Sequence, residues 1–343
     1  MVYHIENRKI QKTGGSSYII TLPIDWIKTH NIDKNYKGYT LGLISQPDGN
    51  LMITPNPKSE EIVKIKEFDV DNIKDNNFLF RLLVGAYIMG YTKIVLTSSR
   101  RYEPFIRDCI VSFTKTAIGM EIIEETNQKI VVKDLLNPKE MPFEQTIKRM
   151  YILVESMHED AIEAMTTQDK ILAEEVIKRD DDVDRLHWLI GRQSHIALKD
   201  ILLCQKMGVS LEEAVQYLQF SRLLERIGDH AVKIAKNVIK IVDKKIDPKL
   251  IEKISSASEL AIKHILIKSF DAWLQKDIDL ANKNIDSVKE LVKLCETIIF
   301  EPSNNDIDTS FPISYIVESI RRAGEYATDI CEVIINSLIN HST

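Results

Sequence analysis

Two stretches of this chain place carboxylates one helical turn apart inside a shared wording. Residues 223–239 read LeuLeuGluArgIleGlyAspHisAlaValLysIleAlaLysAsnValIle, and residues 319–335 read SerIleArgArgAlaGlyGluTyrAlaThrAspIleCysGluValIleIle. Laid over each other, they match Arg226 to Arg322, Gly228 to Gly324, Ala231 to Ala327 and Ile234 to Ile330. The first copy carries Glu225 and Asp229, and the second Glu325 and Asp329. An earlier run, ValIleLysArgAspAspAspValAspArgLeu, adds Asp180 and Asp184, with His187 three residues on. At about 100° per residue, Leu223, Leu224, Ile227, Ala231, Ile234, Ala235 and Val238 fill one arc of roughly 120°, while Glu225 and Asp229 fall nearly opposite. The expectation is an exterior ridge of carboxylates, joined by Asp180, Asp184 and an overhanging His187 if the two helices pack side by side. Such a ridge repels itself, and a multivalent cation is the simplest remedy; a solvated helix face with Arg222, Lys233 and Lys236 as neighbours is the alternative. The second copy is the poorer site, because Arg321 stands where the first acid would be and the helix before it offers only Asp286 and Glu290.

A second set of chemistry-bearing residues lies near the N-terminus. Arg8, Lys9 and Lys12 precede Thr13, Gly14, Gly15, Ser16 and Ser17. Cationic side chains next to hydroxyls and small residues suit phosphate contacts on nucleic acid, and equally suit an edge strand protected from aggregation. Residues 1–66 carry a balance of +3, leaving −9 on the rest, so the two ends face different partners. An ArgArg pair at 100 and 101 could meet an anion at the start of the helix that follows.

Enzymatic chemistry is poorly provided for. GluSerMetHis, residues 155–158, is one GluxxHis of the kind di-iron bundles use, but a second is absent, and His158 falls on an apolar face as a core histidine would. No nucleophile elbow, P-loop or GxGxxG is present. Catalysis is not expected. Cys109, Cys204, Cys295 and Cys331 are far apart with no CxxC, which fits reduced thiols.

The elements that must position these residues divide by texture. At 343 residues the chain exceeds one ordinary core, and its 44% apolar and 28% charged content is that of a soluble protein. No run is long and apolar enough for a membrane span and no signal-peptide pattern opens the chain, so a cytoplasmic location without membrane insertion is expected. The fold class read here is α+β, multidomain. A small β domain covers 1–57, an α/β connector covers 75–136, and helical bundles cover 143–242 and 248–340, the last two as tandem three-helix bundles related by the repeat of about a hundred residues. Expected helices run over 143–168, 170–205, 210–242, 248–275, 277–300 and 312–340.

Two family resemblances attach to these segments. ArgLysIleGlnLysThrGlyGlySerSerTyrIleIleThrLeuProIleAspTrpIleLys resembles the SpoVT/AbrB-type swapped-hairpin domain, although LysAsnTyrLysGlyTyrThr stands where that family has its GlyAsp. The resemblance implies a homodimer of interleaved hairpins with duplex DNA met by Arg8, Lys9, Lys12 and the 13–17 turn. The repeat wording, with ArgIleGlyAspHisAla after Glu225, resembles the PhoU family of phosphate-uptake regulators over roughly 140–340. That resemblance implies ExxxD sites for iron or zinc, here Glu225 with Asp229, and contact with a phosphate ABC transporter or its signalling partners. An AbrB-like end ahead of a PhoU-like body is an arrangement similar to that of archaeal PhoU-like regulators. The functional expectation is a transcriptional regulator of phosphate homeostasis. Its rival is a cytoplasmic adaptor that restrains the transporter without touching DNA.

Overall fold

The computed structural model describes residues 6–34, 36–45, 49–55, 63–137, 140–300 and 306–339. Contacts divide the chain into two units, Met1–Ile62 and Val63–Thr343.

In the first unit, β1 (Gln11–Thr13) and β2 (Ser17–Ile19) form an antiparallel hairpin with Thr13 opposite Ser17. Gly14, at φ +61°, makes the turn, a left-handed conformation glycine adopts without a Cβ penalty. Helix α1 (Ile24–Thr29) follows Pro23, and β3 (Gly42–Ser45) pairs antiparallel with β4 (Leu51–Thr54). Residues 46–48, between β3 and β4, lie outside the described residues, as do Met1–Ile5. Among the described residues of this unit only Ile32 is buried, at 5% exposure, while Ile10, Tyr18, Ile24 and Leu43 are all open.

The second unit opens with a four-stranded sheet of order β5-β6-β8-β7: β5 (Ile65–Asp69), β6 (Lys93–Thr97), β7 (Met120–Glu125) and β8 (Lys129–Asp134). Strands β5 and β6 are parallel and the other pairs antiparallel. The sheet therefore begins ahead of the expected start at 75. β5 was hidden because IleLysGluPheAsp, an edge strand, has only two apolar residues and they lie three apart, without period-two alternation. Helices α2 (Asn76–Ile88) and α3 (Pro104–Thr116) cover the sheet around a core that includes Leu79, Leu83, Ile94, Ile110, Phe113 and Val132.

The rest is helical: α4 (Phe143–Thr167), α5 (Lys170–Ala197), α6 (Ile201–Lys206), α7 (Leu211–Ile241), α8 (Pro248–Glu259), a π-helical stretch (Leu260–Leu266), α9 (Ile267–Gln275), α10 (Ile278–Phe300) and α11 (Ile307–Leu338). The start of α7 is set by a capping box, Ser210 with Glu213, and that of α5 by Asp169, whose carboxylate accepts from Ile171 and Leu172. Helix α4 ends at Gln168 in the left-handed conformation, φ +56°.

Three expected helices differ. The 170–205 helix breaks after Ala197, and Asp200 recaps the chain through the Leu203 amide. The 248–275 helix contains the π stretch. There Asn284 and Ser269 use the Ile265 carbonyl, compensating the altered backbone pairing. The last helix starts at Ile307 rather than 312, capped by Asp306, and takes Pro312 into its interior. The two three-helix repeats do not have separate interiors: one continuous apolar core runs from Phe143 through Leu224 and Ile234 to Ala327 and Ile334.

The sheet layer is fastened to the helices by α5. Arg192, with a side chain 3% exposed, pairs with Asp134 of β8 at 2.5 Å and donates to the carbonyls of Tyr87 at 2.6 Å and Tyr91 at 3.0 Å. Trp188 packs on Phe80, and Arg185 donates to the Thr116 carbonyl.

Candidate functional site

Helices α4, α5 and α7 meet around Gly228, where a Cβ would make only ordinary contacts, 3.5 Å from Val154 and Val183. This closeness decides the fate of the carboxylates beside it. Asp180, Asp184, Glu225 and Asp229 do gather along the α5/α7 seam, as expected from their spacing, but all four are half-buried rather than exterior. The wheel puts Glu225 and Asp229 on the flank of α7 away from its own apolar arc. What it could not show is that α5 lies over that flank.

Half-burial has an electrostatic consequence. Burial, reinforced by Asp180, Glu225 and Asp229, pushes the Asp184 carboxyl up to about 7. Burial and Asp229 also raise Asp180 and Glu225. Glu225 Oε2 is buried with no hydrogen-bond partner, and the Arg222 Nε, at 3.9 Å, is too distant to serve. The seam thus concentrates acids that resist ionisation, one of which has an orphaned oxygen.

His187 does not overhang this ridge. Its Nδ1 lies 3.0 Å from Ser221 Oγ, and because that hydroxyl donates to the Leu218 carbonyl, the imidazole N–H is the donor to it. Burial and Arg222 bring the His187 ring down to about 4, so it is neutral at pH 7. His158 is fully buried, with Nε2 donating to the Ile227 carbonyl at 3.0 Å, and burial lowers it to about 4. It is a core histidine tying α4 to α7.

The second repeat is filled by its own cations. Arg321 holds Glu318 through two bonds, at 2.8 and 2.6 Å, and also reaches Glu325; Arg322 takes the other Glu325 oxygen. The substitution that weakened this site in the sequence therefore fills it in space. Asp329 is raised by burial and Glu332. Asp286 pairs with Lys289 at 2.7 Å, and Glu290 is exposed, so neither joins it. A feature the repeat alignment could have flagged is that the matched Arg226 and Arg322 converge. Both donate to the Tyr326 hydroxyl, at 3.1 and 2.7 Å, across the seam between α7 and α11.

At the N-terminal end, Arg8 is engaged with Glu6 rather than free. Lys9 and Lys12 are exposed, and the 13–17 turn is open. All four cysteines are buried and unpaired.

Iron or zinc is the group the helical wording implies. Carboxylate oxygens held close together, one without a partner, are suitable donors for a multivalent cation. Their positions are less suitable: among the described residues no three His, Cys, Asp or Glu side chains converge as a metal cage.

Fold and site together define a tandem helical-bundle protein with an acidic seam in its first half and a guanidinium-filled seam in its second. A PhoU domain profile matches residues 147–238, the stretch from α4 through most of α7. A phosphate-specific transport system accessory protein PhoU homolog of Aquifex aeolicus is 32% identical over 188 residues, 52% of this chain and 81% of that protein. PhoU homolog 1 of Thermotoga maritima is 28% identical over 197 residues, 55% of this chain and 82% of its own. The chain belongs to the PhoU family. The crystal structure of the phosphate transport system regulatory protein PhoU from Streptococcus pneumoniae superimposes with a TM-score of 0.49 at 18% identity, over 58% of this chain and 94% of that one.

Proposed function

We propose that this chain is a phosphate-transport accessory regulator: a cytoplasmic, non-enzymatic adaptor whose helical body restrains a phosphate ABC transporter or its signalling components. The observation that carries this reading is membership of a family whose matched relatives are named as phosphate-specific transport system accessory proteins. The absence, among the described residues, of a helix long and apolar enough to cross a membrane is compatible with an adaptor that docks from one side. The test is co-elution: the purified chain should shift the transporter's nucleotide-binding subunit to higher mass in gel filtration. Independent elution of the two at concentrations well above that of the cell would remove the adaptor reading.

In this reading the N-terminal unit dimerises the protein. Two short hairpins with a single buried isoleucine among the described residues lack the core a free-standing fold needs, and a second copy supplies it. A further reading makes the same unit an AbrB-like DNA-binding domain, as in the archaeal arrangement. The exposed Lys9 and Lys12 beside the open Thr13, Gly14, Gly15, Ser16, Ser17 turn favour it, with Arg8 joining only if it leaves Glu6. Salt-dependent binding to the promoter of its own gene separates the two, since neutralising phosphates releases counterions.

The acidic seam would be the regulatory element. A cation at Asp180, Asp184, Glu225 and Asp229 would have to draw these carboxylates closer together than they stand without it, relieving their mutual repulsion and tightening α5 against α7. Glu325 and Asp329 would hold none, because arginines already neutralise that position. Zinc or iron should therefore bind with one site's stoichiometry by elemental analysis, and the Glu225→Gln variant should lose it.

A further inference from the structure

At one end of the bundle, away from the acidic seam, the helices leave a cavity of about 290 Å³. It is assembled from four helices: α4 contributes Glu144, α7 Glu213, Tyr217 and Phe220, and α9 Trp273, with α11 closing the far wall. The chain just past α9 adds Lys276 at the rim. The aromatic rings are fixed by one another rather than free to collapse inward. Tyr217 meets Trp273 edge-on at 6.3 Å and 87°, Phe220 lies 5.2 Å from Trp273, and Phe143 stacks behind Tyr217 at 5.0 Å.

Three features give the space a chemical preference. First, the walls combine three aromatic rings with two carboxylates. Second, each carboxylate is held in place but not exhausted: Glu213 accepts from the Ser210 amide at 2.7 Å, and Glu144 pairs with Lys148 at 2.5 Å. Third, the Tyr217 hydroxyl and the Trp273 indole N–H have no hydrogen-bond partner among the described residues. Burial, then Glu144 and Glu213, push the Tyr217 hydroxyl up to about 12, consistent with a negative potential inside. The only cation lining the cavity is Lys276, which is exposed and makes no ion pair among the described residues.

The size suits a small ligand. At about 290 Å³ the space lies at the lower edge of the roughly 300–1,000 Å³ of drug-sized sites, with room for a small headgroup. Aromatic faces within reach of a cation contribute about 0.5–2 kcal/mol according to desolvation, and carboxylates at the rim select positive charge. We propose that this cavity is a binding site for a small organic cation, an ammonium or guanidinium head, lodged against Tyr217, Phe220 and Trp273 and neutralised by Glu144 and Glu213. The head could belong to a free metabolite or to the side chain of a partner protein. The proposal stands independently of the phosphate-transport reading, because neither the acidic seam nor the N-terminal unit contributes to the cavity.

The emission of Trp273 provides the assay. The full chain is titrated with choline, with its uncharged dimethylbutanol isostere, with free arginine, and with an arginine amide flanked by glycines. The expected result is saturable quenching by at least one cationic probe and none by the uncharged isostere. The signal should vanish in Trp273→Phe, where Trp26 and Trp188 remain as controls of folding. Glu144→Gln should weaken binding about tenfold, the scale of one charge contact, and Lys276→Ala should strengthen it. A preference for the capped peptide over free arginine would identify a partner side chain as the source, and the reverse a metabolite. Equal quenching by choline and its neutral isostere, or no saturable change with any probe in the wild-type chain, overturns the proposal.

Discussion

Replacing Asp184 with Asn should stabilise the metal-free protein at alkaline pH and leave it unchanged in acid. The reasoning follows from the α5/α7 seam, where burial and four neighbouring acids move this carboxyl from the usual 3.8 to about 7. A folded-state value above the unfolded one means that stability is fully present below about pH 4, falls as pH rises toward 7, and is flat beyond. At about 1.4 kcal/mol for each factor of ten in proton affinity, complete enclosure would correspond to roughly 4 kcal/mol. Solvent reaches part of this side chain, so screening reduces the expected difference to about 1–2 kcal/mol. Asparagine keeps the shape and never ionises. Urea unfolding in the presence of a chelator, at about pH 4 and about pH 8, should show nearly equal midpoints in acid and a higher variant midpoint in base. If wild type and variant lose stability in parallel between the two pH values, Asp184 is not the strained group and the seam is a wet surface. Adding zinc or iron in base should raise the wild-type midpoint and leave the variant nearly still. A metal-independent curve removes the cation from the account.

Other perturbations probe the remaining elements. A Cβ at Gly324 would lie 2.1 Å from the fully buried Leu291, whereas at Gly228 it meets only ordinary contacts. Gly324→Ala should therefore cost about 1–3 kcal/mol of chemical stability, and Gly228→Ala should be close to neutral, helix propensity offsetting the tighter fit; equal effects would contradict the packing. Arg192→Met should cost about 3–5 kcal/mol because it leaves Asp134 buried and charged, and adding Asp134→Asn should recover part of that loss in a double-mutant cycle. A fragment of residues 1–62 should sediment as a dimer, and a folded monomer would refute the covered apolar surface. Converting Lys9 and Lys12 to Ala should flatten the salt dependence of any duplex binding by up to about two counterion equivalents; unchanged binding would locate DNA contact elsewhere.

Much of the helical body was legible because its signals are local and periodic. The repeat from Arg226 to Ile234, repeated at 322–330, marks two equivalent helices, whereas the start of the second at Asp306 was missed because Pro312 was read as its boundary. The four carboxylates were also legible as a group, since their spacing alone puts them on adjoining ridges. Their half-burial was not, because exposure depends on how near α5 lies, and that is set by how Val183 of α5 and Val154 of a third helix pack around Gly228. His187 illustrates the same limit: its turn on the helix was right, but the choice of Ser221 over the acids depends on a partner 34 residues away. β5 went unseen because an edge strand needs little apolar sequence once β6 is beside it. The π stretch escaped for a related reason, as Asn284 from another helix supports it.

The most direct measurement is uptake of radiolabelled phosphate by cells lacking this gene and grown with ample phosphate. Loss of a restraining adaptor predicts faster uptake, returned to normal by the full chain and not by one carrying Asp184→Asn with Glu225→Gln. Uptake that is the same with and without the gene would contradict the account.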